Sequence, residues 1–288
     1  MEIIVGKTAG FCYGVSNAVN KTREVLKNNT SGNIYCLGEL VHNKQVVESL
    51  SNSGLKCVES VKELPETENK NDKVIIRAHG VSKDVYEAIK TLQYECVDLT
   101  CPNVLNIHKI VLEYLEKGYY ILLIGQKNHP EVLGTYGWCD GNCSIIETEE
   151  DIEEIHKNLN CSKILVVVQT TFSLEKFNKF VEIIKSKFNV EIEVKNTICH
   201  ATKLRQEETE KLSKEVDLMI IIGGKNSSNT RKLYEISSKY TEAICIETAD
   251  ELELEKKKCG KIGIMAGAST PQKSIDDVVE KLHIFQCV

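Results

Sequence analysis

The chain has 288 residues, of which 42% are hydrophobic and 27% charged, with a formal net charge of −6. This composition is typical of a globular protein and excludes a disordered chain. A basic nucleic-acid-binding surface is also excluded, because lysine and arginine are interleaved with glutamate. No apolar run reaches the ~20 residues of a membrane helix, and the N-terminus lacks a secretory signal pattern. We therefore expect a cytoplasmic protein of one large domain or two to three smaller ones, without nucleic-acid or membrane partners.

Six short apolar runs predict buried β-strands, each followed by a polar loop. In chain order the runs cover residues 34–38, 74–76, 121–124, 164–168, 218–222 and 262–265. The loops after them contain VHN (41–43), AHG (78–80), NHPE (128–131), QTT (169–171), NSSN (226–229) and GASTP (267–271). Helical patterns fill the gaps between the runs. This alternation predicts an α/β fold with parallel sheets, whose ligand sites lie beyond the carboxyl ends of the strands.

Three cysteines occur at regular positions relative to these loops. His42 and His79 follow Cys12 by 30 and 67 residues, His129 and Thr170 follow Cys101 by 28 and 69, and Ser227 and Ser269 follow Cys199 by 28 and 70. The repeat predicts three similar α/β modules, at residues 13–99, 100–196 and 197–288, with an N-terminal strand in residues 1–12 added to the third. Packed around a pseudo-threefold axis, these modules would bring the three cysteines and the six loops to one central cavity.

Each of these cysteines also precedes a predicted helix, and Cys101 is followed by Pro102, a residue favoured at the first helical position. A helix N-terminus stabilises a thiolate, the form that binds metal. The other cysteines have no such position. We expect seven of them to be small buried hydrophobes, namely Cys36, Cys57, Cys96, Cys161, Cys245, Cys259 and Cys287. Cys139 and Cys143 could chelate a metal, but no second pair lies nearby as a zinc ribbon requires.

The chemistry of three thiolates favours an iron–sulfur cluster over zinc. A structural zinc site needs a fourth ligand, whereas a cluster with three protein thiolates keeps one iron free to bind substrate as a Lewis acid. The loops add donors without an arginine, a set that suits an enclosed phosphate: His42, His79, His129, Thr170, Ser227, Asn229 and Ser269. Glu131 is the exception, because a carboxyl in a dry cavity has a raised pKa and can deliver protons.

The motifs resemble those of the LytB family of 4-hydroxy-3-methylbut-2-enyl diphosphate reductases. The resemblance rests on segments in the same order between residues 9 and 271: AGFCYGV (9–15), HN (42–43), AHGVS (78–82), DLTCP (98–102), HPEV (129–132), QTT (169–171), TICHAT (197–202), KNSSN (225–229) and GASTP (267–271). Leu99 stands where family members often have alanine, and Cys139 and Cys143 are unusual. Neither departure falls on a residue to which the resemblance gives a role.

The resemblance implies three α/β modules around a 4Fe-4S cluster held by Cys12, Cys101 and Cys199. It implies reductive removal of the allylic hydroxyl of the substrate, giving isopentenyl and dimethylallyl diphosphates in the non-mevalonate pathway, with electrons from a donor protein such as ferredoxin or flavodoxin. Glu131 would supply protons, and Thr170 would orient Glu131 and the substrate hydroxyl. The diphosphate would be held by His42, His79, His129, Ser227, Ser228, Asn229 and Ser269.

Two other classes fit three cysteines and an open iron. An iron–sulfur hydro-lyase would use the same ligands without net reduction. A cluster-based redox sensor would need a recognition surface, and the sequence shows neither a basic helix nor an aromatic platform.

Overall fold

The structure, a computed structural model, describes residues 2–253 and 260–286. The strands in these ranges are β1 Glu2–Val5, β2 Ile34–Leu37, β3 Leu55–Val58, β4 Lys73–Ile76, β5 Glu95–Asp98, β6 Tyr120–Ile124, β7 Cys143–Ile146, β8 Lys163–Val168, β9 Glu191–Val194, β10 Leu218–Ile222, β11 Glu242–Ile246 and β12 Lys261–Ala266. The α-helices are α1 Tyr13–Asn28, α2 Lys44–Asn52, α3 Lys83–Thr91, α4 Pro102–Glu116, α5 Pro130–Tyr136, α6 Glu149–Asn158, α7 Leu174–Lys187, α8 His200–Ser213, α9 Ser228–Ser237 and α10 Gln272–Gln286. Among the described residues, no helix is both long and apolar enough to cross a membrane.

One compact unit consists of Asn17–Leu40 and Ser49–Cys199 and contains two parallel sheets. Their strand orders are β3-β2-β4-β5 and β7-β6-β8-β9. The central strands β6 and β8 are apolar at almost every position because helices cover both faces of their sheet. One face packs on α4 through Ile121, Leu123, Leu165 and Val167, and the other packs on α7 through Leu122, Ile124, Val166 and Val168.

The other compact unit consists of Met1–Ser16, Val41–Glu48 and His200–Val288. Its parallel sheet has the order β1-β12-β10-β11, so the N-terminal strand pairs with β12. One face of this sheet packs on α10, and the other packs on α8 and α9 through Leu212 and Leu233. All three sheets share one strand order, in which the polar loops follow the two central strands where the order reverses. Such reversals are where open α/β sheets bind ligands.

The predicted α/β class with small parallel sheets is confirmed, and so are the six predicted strands, which are β2, β4, β6, β8, β10 and β12. The gaps between them contain an outer strand as well as helices. Two of these outer strands, Glu95–Asp98 and Glu191–Val194, each contain two charged residues in four, so they lack the apolar run that reveals a central strand. The module boundaries and the pseudo-threefold arrangement remain predictions.

The expectation that the spare cysteines are buried is wrong at two positions. Cys57 and Cys96 are exposed because they lie in β3 and β5, the two edges of their sheet. Cys36 is buried, and Cys161 and Cys245 are partly buried. Cys259 and Cys287 lie outside the described residues.

Candidate active site

Glu131 and Thr170 form a hydrogen-bonded pair in the Asn17–Cys199 part of the chain. Glu131 lies in the first turn of α5, after β6, and its side chain is only 2% exposed. The backbone N–H of Thr170, which follows β8, donates to Glu131 Oε1 at 2.6 Å, and the Thr170 hydroxyl donates to Oε2 at 2.7 Å. Because β6 and β8 are neighbouring parallel strands, their carboxyl ends bring these two loops together.

The environment of Glu131 raises its pKa to about 7. Burial is the main cause, because it disfavours the charged carboxylate. The two hydrogen bonds from Thr170 act in the opposite direction, because they stabilise the anion. A carboxyl with a pKa near neutrality can both hold and release a proton under physiological conditions.

His129 and His79 lie beside this pair. His129 caps α5, and its Nδ1 accepts a hydrogen bond from the Glu131 backbone N–H at 3.2 Å. In a neutral imidazole this bond places the proton on Nε2, which therefore serves as a donor. The ring of His79 meets that of His129 edge-on, with 5.4 Å between the centroids. The structure thus brings four of the predicted site residues together.

In the unit that contains residues 41–48 and 200–286, three further predicted loops meet. Ser269 Oγ donates to the backbone oxygen of His42 at 3.0 Å. A Cβ on Gly224 would lie 2.6 Å from that same oxygen, so only glycine permits the loop before Ser227 to approach it. Ser227 caps α9, where its hydroxyl accepts from the Thr230 N–H. Ser228 and Asn229 occupy the first turn of α9, so their backbone N–H groups lie at the positive end of the helix dipole.

Asn229 is the least satisfied polar side chain in this region. Its side chain is 4% exposed, and in the described residues neither its amide nitrogen nor its amide oxygen has a hydrogen-bond partner. A buried amide without partners is unfavourable, so such a group in a native protein calls for an explanation. A bound polar ligand provides one.

The three cysteines of the repeat all stand directly before helices, as predicted: Cys12 before α1, Cys101 before α4 and Cys199 before α8. Their backbone N–H groups also make equivalent hydrogen bonds. Each donates to a loop after a central strand, with acceptors Ala268 for Cys12, Ala78 for Cys101 and Thr170 for Cys199. Each cysteine is therefore fixed next to a residue of a predicted binding loop.

Cys139 and Cys143 differ from those three in their surroundings. Both are buried in the apolar core between β6 and α4. The hydrogen bond with Cys139, together with burial, raises the pKa of the Cys143 thiol well above its usual value. Because the thiolate is the form that binds metal, this raised pKa makes Cys143 a poor metal ligand.

His108 supports the loop that carries His79, a role that the sequence analysis did not predict. The ring lies on the buried face of α4 and stacks on Trp138, whose indole N–H donates to the Val81 carbonyl. A Cβ on Gly80, which has φ +72°, would lie 3.1 Å from His108 Cε1. Burial lowers the pKa of His108 to about 4. In the sequence, His108 occupies an ordinary core position of an amphipathic helix. Only the structure therefore shows that it supports the His79 loop as well as packing in the core.

A buried carboxyl of raised pKa, set at the strand ends of a small parallel sheet, is typical of α/β enzymes, and the fold and the site place the chain in that class. Residues 3–283 match the family model described as LytB protein. The chain belongs to the LytB family.

Similar proteins span the whole chain. A 4-hydroxy-3-methylbut-2-enyl diphosphate reductase of Clostridioides difficile is 44% identical over 98% of this chain and 99% of its own length. One from Aquifex aeolicus is 42% identical over 98% of this chain and 96% of its own length. Among solved structures, the E-1-hydroxy-2-methyl-but-2-enyl-4-diphosphate reductase of Plasmodium falciparum has a TM-score of 0.89 and 32% identity, covering 97% of this chain and 87% of that one.

Proposed function

We propose that the protein reduces 4-hydroxy-3-methylbut-2-enyl diphosphate to isopentenyl and dimethylallyl diphosphates, the last step of the non-mevalonate pathway. The reaction adds two electrons and two protons, breaks the allylic C–O bond and releases water. The relatives with this named activity match the chain end to end. A related solved structure, 42% identical and covering 99% of this chain, is titled as the terminal enzyme of that pathway.

Cys12, Cys101 and Cys199 would hold a 4Fe-4S cluster. The residues fit this group, because the three cysteines stand at helix starts, where thiolates are stabilised, and each is fixed by an equivalent backbone hydrogen bond. Three thiolates also match a cluster with one iron open to substrate. When bound, the cluster supplies electrons and a Lewis acid for the substrate hydroxyl.

The diphosphate would bind to the histidines and to the α9 loop, through His42, His79, His129, Ser227, Ser228, Asn229 and Ser269. The start of α9 offers backbone N–H groups and the positive end of the helix dipole, which together favour an anion. The buried amide nitrogen of Asn229, which lacks a partner among the described residues, would donate to a phosphate oxygen. His129 presents Nε2–H as a further donor, since its Nδ1 is occupied.

Glu131 would deliver a proton to the departing hydroxyl, and Thr170 would hold the acid in place. The raised pKa of Glu131 keeps a large fraction of it protonated near neutrality. Thr170 fixes both carboxyl oxygens, so the proton can be presented in one direction. The hydrogen-bonded pair of Glu131 and Thr170 is the observation that best supports the proposed chemistry. Glu131 is buried without a counter-charge among the described residues, and such burial costs folding free energy. A purely structural role would not justify that cost.

The proposal includes a cytoplasmic location and a small redox protein, such as a ferredoxin or a flavodoxin, as electron donor. The test is product analysis after anaerobic incubation of the cluster-loaded protein with the substrate, with and without a chemical reductant. We expect the two isoprenoid diphosphates only with the reductant. Loss of water from the substrate without a reductant would instead identify an iron–sulfur hydro-lyase.

A further inference from the structure

The loop that carries Cys12 is fastened by two side chains of α8. Arg205 donates from Nε to the Thr8 carbonyl at 2.8 Å and from Nη2 to the Gly10 carbonyl at 2.9 Å. Glu208, one turn later, accepts from the backbone N–H of Lys7 at 2.7 Å and of Thr8 at 2.8 Å. Side chains of α8 thus bind both backbone N–H groups and backbone carbonyl groups of this loop.

The other two cysteine loops are shorter and are held by side chains of their own segments and by backbone hydrogen bonds to the neighbouring strands and loops. Between β5 and Cys101, Asp98 accepts from the backbone N–H of Thr100. Before Cys199, Asn196 accepts from the Ile198 N–H, and the Thr197 hydroxyl meets the Val168 backbone. The link from β1 to Cys12 is the longest of the three, from Gly6 to Phe11. Ordering a longer segment costs more conformational entropy, so this link needs an outside support.

A buried arginine such as Arg205 would be an unusual residue at this position if it only stabilised the fold. Its side chain is 3% exposed, and burying a guanidinium is unfavourable unless its donors are well paired. The planar fork of Arg205 fixes two carbonyls in a set geometry, whereas the donors of a lysine ammonium rotate and hold such a pair less rigidly. Since α8 begins directly after Cys199, one helix carries a proposed ligand at its start and the support for another ligand in its second turn.

We propose that Arg205 and Glu208 are positioning residues that hold Cys12 ready to receive and retain the iron–sulfur cluster, an inference that rests on the proposed function. Neither residue belongs to the motif positions for which the family resemblance implies a role. Their contribution is to the geometry of one ligand, so it should be visible in the cluster itself rather than only in the stability of the fold.

The test compares Arg205→Met, Arg205→Lys and Glu208→Gln with Leu212→Ala in the cluster-loaded protein. Leu212 lies on the same helix, and its side chain packs in the apolar core against β10 and β12. Its truncation lowers the unfolding temperature without removing a hydrogen bond of Arg205 or Glu208 to the loop. The measurements are the rate of iron loss to a chelator under anaerobic conditions, the electron paramagnetic resonance spectrum of the reduced cluster, and the unfolding temperature.

We expect Arg205→Met to lose iron at least about tenfold faster than wild type, because two hydrogen bonds from a charged group are removed. Arg205→Lys should lose iron at a rate between those of wild type and Arg205→Met. Glu208→Gln should also lose iron faster than wild type. Both Arg205→Met and Glu208→Gln should alter the spectrum of the reduced cluster. Leu212→Ala should keep a wild-type spectrum and lose iron within about twofold of the wild-type rate, because it removes core packing and leaves the hydrogen bonds of Arg205 and Glu208 to the loop in place.

Wild-type rates and spectra in both Arg205→Met and Glu208→Gln would overturn the inference, as would equally fast iron loss from Leu212→Ala. Should Arg205→Met fail to fold, Glu208→Gln alone decides, since it removes one acceptor without removing a buried cation. A wild-type protein that binds no iron and sulfide would refute the proposed function instead, so the two failures are distinguishable.

Discussion

At the scale of single residues, Glu131 is held between two opposing effects. Burial raises its pKa, and the hydrogen bonds from Thr170 limit the rise to about 7. An acid is active while protonated, so the proton-delivery step should proceed fully below this pKa and decline as the pH rises through it. We predict that kcat falls above about pH 7, up to tenfold per pH unit. Anaerobic steady-state kinetics over a range of pH, with a chemical reductant, would measure this.

Glu131→Gln keeps the shape of the side chain but removes the proton. It should retain its cluster and its KM while kcat falls by about 10²–10⁴-fold, the usual loss for a positioned proton donor. The pH dependence described above should disappear with it. A near-normal kcat with full iron content would mean that the proton comes from water or from the substrate diphosphate.

Thr170→Val separates the two bonds that Thr170 makes to Glu131. The variant keeps the backbone N–H but loses the hydroxyl, one of the groups that lower the pKa of Glu131. We therefore predict a smaller kcat and a pH profile shifted to higher pH, whereas Thr170→Ser, which keeps the hydroxyl, should resemble wild type. An unshifted profile in Thr170→Val would show that the hydroxyl does not act through Glu131.

Asn229→Ala tests the α9 loop as part of the diphosphate site. The buried amide lacks partners in the described part of the chain, so its removal should leave the unfolding temperature of the substrate-free protein little changed. It should raise KM by about tenfold or more, because a hydrogen bond to a charged group is lost. An unchanged KM would remove Asn229 from the diphosphate site.

At the scale of elements, the positions at helix starts distinguish the three proposed ligand cysteines from the other described cysteines. We predict that Cys12→Ser, Cys101→Ser and Cys199→Ser each abolish the brown chromophore and the iron content. Cys139→Ser and Cys143→Ser should retain both, because these thiols lie in the apolar core under α4 and not at a helix start. Loss of iron from either of the latter two variants would contradict the assignment.

The strands and the loops also show which features of the fold and of the candidate site could be predicted from sequence alone. Ile121–Ile124 and Ile164–Val168 could be predicted as strands because helices bury both of their faces, which demands an unbroken apolar run. Glu95–Asp98 and Glu191–Val194 could not, because an edge strand with polar side chains resembles a loop. The loop residues of the site could be found from their regular spacing. Arg205 could not, since its hydrogen bonds to Thr8 and Gly10 join segments almost 200 positions apart.

At the scale of the whole molecule, the carboxyl of Glu131, which we propose as the proton donor, weakens the fold at high pH. A carboxyl whose pKa rises from 4.5 to about 7 on folding lowers the unfolding free energy above pH 7 by on the order of 3 kcal/mol. The sign follows from linkage, because the unfolded chain releases this proton more readily than the folded one. The cost is absent below about pH 4.5, grows between the two pKa values and is constant above about pH 7.

We therefore predict that Glu131→Gln is more stable than wild type at about pH 8 and gains much less at about pH 5, where the wild-type carboxyl is mostly protonated in the fold. The glutamine amide can still accept from the Thr170 N–H and can donate to its hydroxyl, so packing and hydrogen bonding survive. Anaerobic thermal unfolding of the cluster-loaded proteins at both pH values measures the difference.

Glu182→Gln, an exposed position in α7, serves as the control and should change stability little at either pH. An equal gain for Glu131→Gln at both pH values would show that the substitution acts through packing. No gain at about pH 8 would show that the folded protein accommodates the ionised carboxylate without loss of stability. Any stability cost of the proposed active site would then lie at residues other than Glu131.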